Sequence, residues 1–123
     1  MKLLCVILNY KTADMTLDAI RAARAALTTL DHRIDVVDND SQDGSFETLQ
    51  QAVADAGWDD VRVIQSGHNG GFGAGNNVAL RAALREREPP EFLYILNSDA
   101  FPAPDAINAL VSFLEAHPRA GIA

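Results

Sequence analysis

Asn97-Ser98-Asp99 follows directly on the apolar run Phe92-Leu-Tyr-Ile-Leu96. A carboxylate at such a tip is a hard oxygen ligand of the kind that holds a magnesium-type cation beside phosphate oxygens. The same three residues are also good turn formers ahead of Pro102 and Pro104, so alone they decide nothing. Three other apolar runs in the chain end in equally polar groups. Leu3–Leu8 gives way to Asn9-Tyr10-Lys11-Thr12, and Ile34–Val37 ends at Asp38, opening Asp38-Asn-Asp-Ser-Gln-Asp-Gly44. Val61–Ile64 leads to Ser66-Gly-His-Asn-Gly-Gly-Phe-Gly-Ala-Gly-Asn-Asn77.

Each group carries a possible chemistry. An acceptor at Asp38 can receive a hydrogen bond from a ribose hydroxyl or a base N–H, or it can simply order the following turn through backbone amides; both readings stand. Asp40, Ser41 and Asp43 suit the turn, and Gly44 suits a positive φ. The segment Gly70–Gly75 misses the dinucleotide fingerprint, because the third glycine position is Asn76, and lacks the Gly-Lys-Ser/Thr of a P-loop. A glycine-rich approach to a helix still lets backbone N–H groups reach a ligand; it also serves as a flexible connection. Asn69, Asn76 and Asn77 flank it with amide donors and acceptors. Lys11 and Arg81 are the candidate phosphate partners, although Arg81, with Arg85 and Arg87 nearby, also fits a solvated helix face. Trp58 reads as packing.

These groups need a scaffold that brings them to one place. Mainly apolar runs of four to six residues read as strands buried on both faces of a covered parallel sheet. Between them lie helical patterns. One runs from about Ala13 to Leu30, with Leu17, Ile20, Leu27 and Leu30 on one face and Asp14 in the first turn. A second has Ser45 as N-cap, Phe46, Leu49 and Val53 inward, and Gly57 as its stop. A third runs from roughly Asn76 to Arg87 and ends before Pro89-Pro90. The last has Pro104 in its first turn and Ile107, Leu110, Val111 and Leu114 facing the core. Four β-α units imply an α/β, Rossmann-like three-layer fold with a mainly parallel sheet and right-handed crossovers. All four polar groups then lie on one edge, outside the carboxyl ends of the strands, where such sheets bind ligands. Ala120–Ala123 reads as the opening of a fifth strand.

The chain has 123 residues, enough for one domain, 1–123. A net charge of −7 argues against nucleic acid or an acidic membrane as main partner, but not against a phosphorylated small molecule held through a cation. Cys5 is the lone cysteine, inside an apolar run, so it reads as a buried, inert thiol. His32, His68 and His117 show no zinc spacing. The first residues lack a signal-peptide cleavage pattern and no stretch reaches membrane-span length, so a cytoplasmic location is expected.

Taken in order, Val6–Tyr10, Val36–Ser45, Asn69–Asn77 and Leu96–Asp99 resemble the motifs of family 2 glycosyltransferases of the GT-A fold, near the rhamnosyltransferase-like branch. The resemblance covers the whole chain and implies its nucleotide-sugar-binding, N-terminal half. It implies that Asn9 and Tyr10 contact the nucleoside of a UDP- or dTDP-type donor and that Asp38 accepts from the ring N3–H. It also implies that Asn69, Gly70 and Asn76 border the donor. Asn97 and Asp99 match the metal-binding acidic motif, with Asp99 on Mn²⁺ or Mg²⁺ that bridges the diphosphate. The first member of that motif is here Asn97, leaving Asp99 as the single firm carboxylate ligand. In the family the acceptor site and general base lie in a second half, expected beyond residue 123; Asp105 and Glu115 do not replace it. The expected partners are the nucleotide sugar and a carbohydrate or lipid-linked acceptor. An uncovered sheet edge also favours a homo-oligomer. The alternative is a non-catalytic nucleotide-binding module. A sugar nucleotidyltransferase would need a glycine- and arginine-bearing loop where Asn9–Thr12 stands, and a pure protein-interaction domain would bind no nucleotide.

Overall fold

A computed structural model describes residues 1–123. In chain order the elements are β1 (Leu3–Asn9), α1 (Ala13–Ala26), β2 (His32–Asp38), α2 (Ser45–Ala56), β3 (Val61–Gln65), α3 (Phe72–Leu84), β4 (Phe92–Asn97) and α4 (Ala106–Ala116). The four strands form one all-parallel sheet in the order β3-β2-β1-β4. A parallel neighbour needs a crossover, and each crossover here is a helix.

The helices divide unequally between the two faces. Leu17, Ile20 and Ala23 of α1, Leu49 of α2, and Ile107 and Val111 of α4 pack with Leu3, Cys5, Ile7, Ile34, Val36 and Leu96 in the larger core. On the other face α3 stands alone, with Ala79 and Ala83 against Leu4, Val6 and Val37. Alanine at both contact positions lets this helix lie close to the sheet. The result is the three-layer α/β/α arrangement expected from the sequence. It explains why β1 is apolar from Leu3 to Leu8: with strands on both sides and helices on both faces, Leu3–Ile7 are at most 2% exposed. Burial pushes the Cys5 thiol up to about 12, so it is an inert core residue.

β4 departs from expectation. It is an edge strand buried on one face only: Leu96 is buried, while Leu93 and Ile95, in register with Leu4 and Val6, are exposed. The reason is that α3 covers β1 and β2 and nothing covers β4 on that side. Ala120–Ala123 form no strand and lie largely exposed.

Helix boundaries shift for local reasons. α1 stops at Ala26, and Leu27 and Leu30 close tight three-residue turns through the β-branched pair Thr28-Thr29. β2 starts at His32 rather than Ile34, because polar His32 and Arg33 still pair with Leu3 and Leu4. Ser45 is the first helical residue of α2 rather than its cap; Gly44, at φ 87°, is the N-cap, and the Asp43 carboxylate accepts from the Ser45 amide at 3.0 Å. Gly57 ends α2 in the left-handed conformation, as expected. Pro104 lies in the turn before α4, with Asp105 as N-cap.

The largest shift is in α3, which starts at Phe72 and ends at Leu84 instead of spanning Asn76–Arg87. The glycine-rich segment is therefore mostly helix, with Gly71 at φ 98° as its N-cap. A Cβ on Gly75 would lie 2.5 Å from Leu8 Cδ1 and 2.9 Å from Asn39 Oδ1. Glycine is needed there because α3 presses on the sheet, not because the chain is loose.

At the amino edge of the sheet, charge pairs staple the layers. Buried Asp35 of β2 accepts from the Arg33 guanidinium at 2.9 Å and from Arg62 of β3 at 2.8 Å, and Arg33 reaches Glu86 after α3 at 2.6 Å. Asp60 joins Arg24 of α1 to His32 of β2, both at 2.9 Å. No helix is long and apolar enough to cross a membrane.

Candidate functional site

Register fixes which loop tips meet. Asn9 lies opposite Asp38, Asp38 opposite Gln65, and Leu8 opposite Asn97. All four polar groups therefore stand on the carboxyl edge, with the strands of Asp38 and Asn97 flanking β1 at about 10 Å from each other.

Within this edge the expected site residues separate into two sets. Asn9, Asp38 and Asn76 are at most 2% exposed. The Asp38 carboxylate accepts from Asn9 Nδ2 (2.8 Å) and Ser41 Oγ (2.6 Å) on one oxygen. Its other oxygen accepts from the Ser41 amide (3.2 Å) and Gln65 Nε2 (3.0 Å). A carboxylate has about four acceptor positions, and here all are filled. Asn9 is just as engaged, its Oδ1 accepting from Thr16 Oγ1 at 2.6 Å and Thr12 Oγ1 at 3.3 Å. These two residues tie β1, α1, β2 and β3 together beneath the crevice, and the Asp38 of this structure offers no free acceptor to a base.

Ser41, expected only to serve the turn, and three residues that sequence reasoning passed over complete this frame. Asn39 Nδ2 donates to Asn69 Oδ1 (3.0 Å) and to the Gly71 carbonyl (3.3 Å), and its Oδ1 accepts from Ser66 Oγ (2.9 Å). Ser41 Oγ accepts from the Lys11 amide at 2.9 Å, joining the first and second loops. Gln65 Oε1 accepts from the Asp40 and Gly67 amides, joining the second and third. Thr16 fixes Asn9 from α1. Polar residues at strand ends and first helical turns were the available signal for Gln65 and Thr16.

The exposed set at this edge is Tyr10, Asn69, Gly70, Asn97 and Asp99, of which Tyr10 and Asn69 line a hollow. Tyr10 is 44% exposed, with the Lys11 ammonium 5.2 Å from its ring centroid. A hollow of about 550 Å³ lies between Tyr10 and Lys11 on one side and His68 and Asn69 on the other, floored by Asp40–Asp43. Lys11, Asp40 and Gln42 around it sit at φ 57°, 61° and 57°. Such left-handed backbone costs roughly 1–3 kcal/mol per non-glycine residue and concentrates at functional sites; the Asp38 network is what holds it.

The loops of this edge carry more acidic than basic side chains. Lys11 is the sole lysine or arginine in the loops that follow the strands at this edge. Arg81 lies in the last turn of α3, which runs antiparallel to the strands, so it belongs to the opposite edge and is not a phosphate partner. Asp43, by contrast, is held below the usual carboxylate range by hydrogen bonds from the Ser45 hydroxyl and amide, so the loop stays anionic. Asp99 is exposed and makes no hydrogen bond or ion pair. No group of three or more histidine, cysteine, aspartate or glutamate side chains converges on a metal position. One free carboxylate fits a magnesium-type cation that takes its remaining ligands from a diphosphate and water. It does not fit a metal caged by protein alone.

Several solved structures share this architecture. TarS 1–349 of S. aureus matches with a TM-score of 0.73 and 22% identity over 96% of this chain and 33% of its own. The same protein in complex with UDP-GlcNAc matches at 0.74. The mannosyltransferase PcManGT from Pyrobaculum calidifontis, in complex with GDP-Man and Mn²⁺, matches at 0.78 with 20% identity, over 92% of this chain and 32% of that one. The chain thus spans about a third of the length of these structures. No curated protein matches it. The sequence pattern of Glycosyl transferase family 2 matches residues 5–123, which include all four loop motifs of the carboxyl edge, and the chain belongs to that family.

Proposed function

We propose that this chain binds the donor of a glycosyl transfer, a UDP- or dTDP-type nucleotide sugar, together with Mn²⁺ or Mg²⁺, across the carboxyl edge of its sheet. The observation that carries the reading is the free carboxylate of Asp99 on an edge whose loops offer one lysine and an open hollow beside Tyr10. The structural neighbours add support, since their complexes hold UDP-GlcNAc or GDP-Man with Mn²⁺.

In this reading Tyr10 and Asn69 border the nucleoside, and Asn97 and Gly70 line the path toward the diphosphate. Asp99 would hold the cation, which when bound would supply positive charge against the leaving diphosphate. Lys11 adds a second positive charge. Asp38 and Asn9 act through the loops they hold, not by touching the base. Transfer to a carbohydrate or lipid-linked hydroxyl, with inversion, needs a general base. None of the expected site residues in this chain serves as one, and we assign that role to sequence outside these 123 residues.

Calorimetric titration with UDP, dTDP and GDP, each with and without Mn²⁺, tests the proposal. The expected result is metal-dependent binding of UDP or dTDP, with a dissociation constant of ~1 mM or tighter, and weaker binding of GDP. Absence of binding by both UDP and dTDP in Mn²⁺ would overturn it.

A further inference from the structure

One side chain of the hollow beside Tyr10 has no part in the frame and none in the donor-site reading. His68 is exposed and bonds through its backbone alone. Its amide donates to Ser66 Oγ at 3.4 Å, and its carbonyl accepts from the same hydroxyl at 3.1 Å. The imidazole enters no hydrogen bond, ion pair or aromatic pair. Its place is nonetheless fixed. Ser66 Oγ is tied to Asn39 at 2.9 Å, and the Gly67 amide donates to Gln65 Oε1 at 3.0 Å. Asn69 next to it accepts from Asn39 and from the Gly71 amide. Gly67 closes this turn at φ 75°, a conformation that glycine adopts without strain. The Cδ2–Nε2 edge of the imidazole lies beside bare Gly70, where a Cβ would stand 3.6 Å and 3.8 Å from those two atoms.

The hollow is thus lined by two aromatic rings, Tyr10 from the first loop and His68 from the third. A planar base between two rings needs about 7 Å, two contacts of ~3.5 Å each, and a hollow of about 550 Å³ has room for it. Tyrosine and histidine rings both stack on bases. We infer that the base of the bound nucleotide lies between the Tyr10 and His68 rings, which makes His68 a donor-binding residue. The inference rests on the donor-site reading above and adds a second wall to it. Stacking accepts every base, because every base has a π-face. His68 therefore contributes affinity without choosing between uracil and thymine.

The test is calorimetric titration of UDP and dTDP in Mn²⁺ with wild type, His68→Ala, His68→Gln and His68→Phe. Because the side chain is exposed and unpaired, each variant should melt within about 2 °C of wild type without ligand. His68→Ala and His68→Gln should bind both nucleotides about five- to fiftyfold more weakly, with the UDP-to-dTDP ratio unchanged. His68→Phe, a ring without nitrogen, should bind within about threefold of wild type. Wild-type affinity in His68→Ala overturns the inference and leaves the donor site standing. Binding by His68→Phe as weak as by His68→Ala also overturns it, since a nitrogen and not the ring face would then be recognised. Wild type that binds neither nucleotide overturns the donor-site reading and this inference with it.

Discussion

Asp38 and Asp99 are both aspartates at strand ends, yet their surroundings give them opposite roles. Asp38 is buried under four hydrogen bonds, and Asp99 is exposed with none. Asp38→Ala leaves Asn9, Ser41 and Gln65 without their common acceptor. It should destabilise the chain by about 1–3 kcal/mol and weaken nucleotide binding at the same time, as read by urea unfolding and by titration. Normal stability in Asp38→Ala would contradict the frame described here. The sequence made both aspartates visible through their positions after apolar runs. It could not separate them, because the groups that saturate Asp38 come from β1 and β3, 29 and 27 residues away. Gln65 was overlooked for the same reason, its partner being set by strand register, and Thr16 because its bond to Asn9 depends on how α1 packs beside the end of β1.

At the scale of elements, the glycine-rich segment was the feature most easily misread. Glycine count suggests a loop, whereas the segment runs into a helix that is glycine-bearing because it lies against Leu8 and Asn39. Two glycines within one helix make a sharp comparison. Gly75→Ala places a Cβ 2.5 Å from Leu8 Cδ1 and should cost about 1–3 kcal/mol. Gly73→Ala meets nothing within 4 Å and lies in regular helix, so it should stabilise by up to about 1 kcal/mol. Thermal or urea denaturation of the pair decides the point; equal effects would contradict the placement of α3. Strand existence and order of elements were legible from apolar periodicity alone. The one-sided burial of β4 was not, because the run Phe92–Leu96 reads the same whether or not a helix covers its second face.

For the whole molecule, net charge of −7 conceals a division between the two sheet edges. The carboxyl edge keeps its aspartates free or bound to uncharged donors, while toward the amino edge Asp35, Asp60 and Glu86 pair with arginines. Burial alone would raise the Asp60 carboxyl, but the hydrogen bonds from His32 and Arg24 outweigh it and hold it below the usual range. The Arg33 guanidinium does the same for Glu86. A carboxyl lowered by folding contributes stability above its unfolded value of ~4, and that contribution is lost as pH falls through the folded value. Unfolding free energy should therefore decline with acidification below pH ~4. Asp60→Asn should be less stable at pH 7 by roughly 1 kcal/mol and should decline less steeply in acid. A variant with the wild-type slope would show that Asp60 is not coupled to folding.

The most direct test of the central claim is thermal denaturation with UDP, dTDP and GDP, with and without Mn²⁺, in wild type, Asp99→Asn and Asp105→Asn. Both aspartates are exposed, so neither substitution should change ligand-free stability by more than about 0.5 kcal/mol. The account predicts a Mn²⁺-dependent rise in melting temperature with UDP or dTDP. At a hundred times the dissociation constant it corresponds to about 2.7 kcal/mol. Asp105→Asn, at the cap of α4, should keep that rise, and Asp99→Asn should lose it. A rise that survives Asp99→Asn unchanged would contradict the assignment of the cation to this strand end.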